Sequence, residues 1–132
     1  MLTELLIIDG RMGRARYMRM SLLALLLMTL GAIMLIFPWL MSQVNGVELV
    51  PLGLSTFFAL VQIAFGLWIA VSSSIRRLHD MGWHPLWLGL CAVPVEVIAV
   101  AAVIILSLAM SVVRGMNSAN AYGPVPAVTS VD

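Results

Sequence analysis

Arg76-Arg77-Leu78-His79-Asp80 is a dense polar island between two long apolar stretches. Residues three and four apart share one face of a helix. Arg76 therefore neighbours His79 and Asp80, and Arg77 neighbours Asp80. A second cationic group, Gly10-Arg11-Met12-Gly13-Arg14, lies ahead of the first apolar run, with Arg11 and Arg14 three residues apart. If the first two apolar segments pack antiparallel, Arg11, Arg14, Arg76 and Arg77 converge near Asp80. Four guanidiniums repel one another without a counterion. Phospholipid phosphate is the abundant candidate, because arginine binds phosphate bidentately. These six side chains (the four arginines with His79 and Asp80) form a candidate site for an anionic headgroup or a protein partner. The blander reading is structural: Asp80 pairs with its own helix neighbours, and each arginine extends separately into headgroups.

Other chemistry is weaker. His79, Asp80, His84 and Cys91 match no standard zinc spacing. Ser72, Ser73 and Ser74 precede His79 and Asp80 without a nucleophile elbow. The sequence thus indicates no catalytic residue, metal or cofactor, and a protein that is not an enzyme. Glu96 stands apart. It lies inside an apolar run at a depth of about 15 Å, and Gln62 in the preceding run lies at about 20 Å. Burial disfavours the carboxylate, so the expectation is a neutral Glu96 bonded to Gln62 or to a carbonyl near Pro94. A small oligomeric transporter or proton-coupled subunit using Glu96 is the alternative function.

The elements that hold these groups are apolar. The 132 residues are 62% hydrophobic and 10% charged, against about 25% charged in soluble domains. So little polar surface cannot cover a water-facing globule, and lipid is the expected solvent. All seven basic residues are arginine and the net charge is +1, which leaves no nucleic-acid footprint. Three runs reach spanning length, at 17–40, 49–75 and 85–113, and predict an all-α protein with three transmembrane helices. Residues 1–16 form a cytoplasmic segment, 76–84 a cytoplasmic turn and 114–132 a polar tail, extended or loosely ordered. The charge-free run from Met20 to Val47 exceeds a signal-peptide core, so the first helix reads as uncleaved. Gly82 is the expected stop of the second helix. The third run reads as one helix kinked at Pro94 and spanning about 42 Å, in preference to a re-entrant hairpin. Six of seven arginines then fall on the cytoplasmic side, with the C-terminus outside. Gly66-x-x-x-Ala70 is a small-residue contact face within the bundle.

Three motifs occur in order: Gly10-Arg11-Met12-Gly13-Arg14 with Tyr17, then Arg76-Arg77-Leu78-His79-Asp80-Met81-Gly82 with Trp87, then Asn120-Ala121-Tyr122-Gly123-Pro124-Val125-Pro126. Together they resemble the bacterial inner-membrane domain of unknown function 805 (DUF805) family over nearly the whole chain. The family pattern has an arginine where Ala121 stands, and commonly a tryptophan at Met18. Glu96 follows a proline after which the family is mostly apolar or glycine. The family carries no established activity. The resemblance implies a small multi-pass protein of a bacterial inner membrane. The expected function is that of a membrane accessory protein binding anionic lipid headgroups at the cytoplasmic face, or an unidentified protein partner or further copies of itself.

Overall fold

The computed structural model describes residues 10–45, 52–92 and 96–126. Among the described residues it is all-helical, with three α-helices: α1 over Arg14–Asn45, α2 over Leu52–Asp80 and α3 over Glu96–Val112. A 3-10 segment, Pro85–Ala92, precedes α3. Among the described residues, two helices are long and apolar enough to cross a membrane, Arg14–Val44 and Gly53–Asp80 within α1 and α2. Only 11% and 22% of their apolar windows are buried within the protein. A soluble protein's core helix would be mostly covered. These helices instead present Leu22, Leu26, Ile33, Phe57 and Leu67 outward, as lipid-facing helices do. Trp68, which lies deep in its run, is also exposed.

The chain divides into two compact units, one of Ser21–Ala70 and one of Met1–Met20 with Val71–Asp132. Within the first, α1 and α2 pack antiparallel along a seam of small residues. Ala24 and Ala59 are buried there. A Cβ built on Gly31 would lie 2.6 Å from Ile63 Cγ1 and 3.1 Å from the Ala59 carbonyl. One on Gly66 would lie 2.8 Å from Met28 Cγ and 3.1 Å from the Ala24 carbonyl. Lipid chains are as apolar as leucine, so helices in lipid associate through such close backbone approach. Gly66 thus serves contact inside the unit, as its spacing with Ala70 indicated. Gly66→Leu should cost about 1–3 kcal/mol by overpacking. Gly53→Ala should be nearly silent, since a Cβ there meets nothing within 4 Å. Melting of both variants in detergent against the native protein checks this contrast.

The second unit has its own apolar cluster of Met12, Tyr17, Leu78, Met81, Leu106 and Met110. Leu106 and Met110 are four apart and present one face of α3. Helix α2 ends in a Schellman turn. Gly82, at φ +73°, donates to the His79 carbonyl at 3.2 Å, and Trp83 donates to Leu78 at 2.9 Å. A residue with a Cβ rarely adopts that φ, which is why the sequence signal at Gly82 is reliable.

The third apolar run departs from the single helix expected over 85–113. It consists of the 3-10 segment and the 17-residue α3, a helix of about 26 Å. The end of α3 returns to the end of α2. Met116 N–H donates to the Asp80 carbonyl at 2.9 Å, and Arg77 Nε donates to the Met110 carbonyl at 2.8 Å. A straight helix over the same residues would separate its ends by about 42 Å, so the run is not one straight helix and both its ends lie near the end of α2. The tail differs from expectation as well, because residues 115–123 are folded against the end of α2.

Candidate site: an arginine-clamped carboxylate and its pocket

Asp80 is the last residue of α2. A helix C-terminus carries about half a negative charge, so a carboxylate there needs cations beside it. Two arginines supply them. Arg77, one turn earlier, donates through a terminal nitrogen to Asp80 Oδ2. Arg11 approaches from ahead of α1, with its Nε 3.1 Å and a terminal nitrogen 3.0 Å from Asp80 Oδ1. All three side chains are at least 95% buried. Isolated charges at such burial are costly, and mutual pairing with further hydrogen bonds is what makes the arrangement stable.

Those further bonds are mostly to backbone. Besides Met110, Arg77 donates to the carbonyls of Val113 and of Met12, the latter at 3.3 Å. Met110 and Val113 lie at the end of α3, where carbonyls lack intrahelical donors. One guanidinium therefore joins α2, the end of α3 and the segment before α1. Arg11 donates to the carbonyls of Met116 and, at 2.6 Å, Ser118. The last carbonyls of α2 are all taken: Arg76 by Met12 N–H at 3.1 Å, Arg77 by Met81 N–H at 3.2 Å, Leu78 and His79 by the Schellman turn, and Asp80 by Met116. Gly115 passes directly over Asp80, and a Cβ there would overlap the carboxylate oxygens.

The residues from Gly115 to Pro126 form a strap. Asn120 donates through Nδ2 to the His79 carbonyl at 2.9 Å, and its Oδ1 accepts the Tyr122 N–H at 3.0 Å. Tyr122 lies flat on the His79 ring, with centroids 3.9 Å apart and planes within 3°. His79 Nδ1 faces the Gly10 carbonyl at 3.4 Å. The third motif thus folds onto the second through Asn120 and Tyr122, and not through Ala121.

Beside this clamp lies an open pocket of about 270 Å³. Among the described residues, six arginines line it, namely 11, 14, 16, 19, 77 and 114, against one acid, Asp80. The first turn of α1 borders it and contains no acidic residue. The N–H groups of a first helical turn lack intrahelical acceptors, which adds to the positive potential.

The structure divides the candidate residues. Arg11, Arg77 and Asp80 come together as expected, but buried and committed to one another. Arg14 is exposed, 3.5 Å from the Val112 carbonyl, on the pocket wall. His79 is occupied by the strap, and Arg76 enters through its carbonyl. Neither belongs to the pocket lining. His84 Nδ1 accepts the Leu86 N–H at 3.2 Å and caps the 3-10 segment. Gln62 is half-buried. The side chain of Glu96 and the backbone at Pro94 fall outside the described residues, as does the pairing expected of them. Arg16, Arg19 and Arg114 were not singled out as site residues from sequence. Their signal was charge alone, which membrane orientation already accounted for.

These features define a small all-helical protein of membrane type, whose second long helix ends in a carboxylate gripped by two arginines. The chain belongs to the DUF805 family, a protein family of unknown function, whose model matches residues 5–124. Comparison with curated proteins and with solved structures gives no match.

Proposed function

We propose that this protein is a non-enzymatic membrane accessory protein that binds anionic phospholipid headgroups through the arginine-lined pocket. The observation that carries this reading is the excess, among the described residues, of six arginines over one aspartate around an open pocket. Arg11 and Arg77 hold the walls together, while the exposed Arg14, Arg19 and Arg114 are the groups that meet a ligand. The host is a bacterial inner membrane and the arginine-rich end is cytoplasmic, following the bias of basic residues to that side. A protein partner or a further copy of the chain would meet the same face.

The third apolar run enters and leaves on one face, so the strap shares the cytoplasmic side with Arg11. This replaces the outside C-terminus that three full crossings would require. Reporter fusions after Pro126 should report the cytoplasm, and a periplasmic signal would reject the assignment.

Binding is tested with the full chain in nanodiscs of phosphatidylcholine containing phosphatidylglycerol. Native mass spectrometry should show phosphatidylglycerol retained by the native protein and lost from the Arg19→Glu/Arg114→Glu variant. Retention should weaken as ionic strength rises, because exposed charges are screened beyond about 8 Å at physiological salt. Equal retention by both proteins would sink the reading.

A further inference from the structure

We infer that the pocket selects a terminal, multiply charged phosphate, a phosphomonoester or diphosphate, over the singly charged phosphodiester of ordinary phospholipids. The inference rests on the headgroup reading and narrows its ligand.

Asp80 already neutralises part of the Arg11 and Arg77 charge through direct pairing. Arg14, Arg19 and Arg114 remain on the wall, all exposed and all lining the same pocket. A phosphodiester brings one negative charge to them. A phosphomonoester brings about 1.5 to 2 at neutral pH and three acceptor oxygens. Coulombic attraction scales with that charge, so the same arginines hold the monoester more strongly.

Arg14 and Arg19 rise from the first turns of α1, whereas Arg114 comes from the chain just beyond α3. Val125 and Pro126 of the strap form a further wall. The basic groups thus approach from separate chain segments. A phosphate with three free oxygens can accept bidentate guanidiniums from both sides. A diester has two oxygens committed to substituents, which would have to pass the same walls.

This chemistry has two sources, a lipid with a terminal phosphate or a soluble phosphorylated compound. The full chain is placed in phosphatidylcholine nanodiscs containing equal fractions of either phosphatidic acid or phosphatidylglycerol, and retained lipid is measured by native mass spectrometry. Phosphatidic acid should be held at least about tenfold more tightly, equivalent to about 1.4 kcal/mol. Arg19→Gln and Arg114→Gln should each reduce that preference while the melting temperature stays native. Inorganic pyrophosphate is then added as competitor. Displacement of phosphatidic acid supports a soluble source, and retention against it supports a lipid source. Equal, arginine-dependent retention of the two lipids overturns the selectivity and leaves headgroup binding standing. Retention that ignores the arginine variants overturns both.

Discussion

Asp80→Ala should lower stability in detergent by about 3–5 kcal/mol, the cost of breaking a buried pair from one side. The carboxylate is removed, but Arg11 and Arg77 stay where their backbone partners hold them. Two guanidiniums, each almost wholly buried, then face one another without the acid that separates them. The damage should spread beyond α2, because the same arginines hold Met12, Met110, Met116 and Ser118 by their carbonyls. Hydrogen exchange should therefore rise in the strap and at the end of α3, as well as around Asp80. Anionic lipid should restore part of the loss, since a phosphate in the adjoining pocket supplies the missing charge to the folded state alone. A variant that melts like the native protein, with or without such lipid, would remove the clamp from the account of folding.

Gly115→Ala should be nearly as harmful, at about 2–4 kcal/mol, although it adds only one methyl group. The added Cβ falls on the Asp80 carboxylate. That carboxylate cannot move aside without breaking with Arg11 or Arg77. The prediction has a sharper form in a double-mutant cycle. Where Asp80→Ala has already cleared the space, Gly115→Ala should cost little further. The two substitutions should then couple by about 2–3 kcal/mol. Additive losses would mean that Gly115 acts through the strap backbone and not through the carboxylate.

The residues involved differ in how far their roles could be read without the fold. Gly82 was legible because a left-handed helix stop is a local matter, decided by the absence of a Cβ. Arg11 meeting Asp80 was legible because each closes an apolar run, and antiparallel packing brings run ends together. Gly115 was not. Nothing local demands glycine there, and the demand comes from a carboxylate 35 positions earlier in the chain.

By itself the sequence determined that this is an all-helical protein with lipid-length apolar helices, and that its three ordered motifs place it in the DUF805 family. Composition and run length suffice for the helices, since both act through solvation of single segments, and the motifs carry the family. The tertiary structure alone decided the path of the third apolar run. Length cannot separate one helix over 85–113 from a 3-10 segment followed by a 17-residue helix, because both bury similar apolar surface in lipid. Contacts with Arg77 and Asp80 at the returning end make the distinction. The structure alone also sorted the arginines. All seven look alike in sequence, and only packing shows that Arg11 and Arg77 are buried against a single acid while Arg14, Arg19 and Arg114 stay exposed on the pocket wall. A guanidinium within reach of a buried carboxylate and unpaired carbonyls can leave water, and one without them stays at the surface.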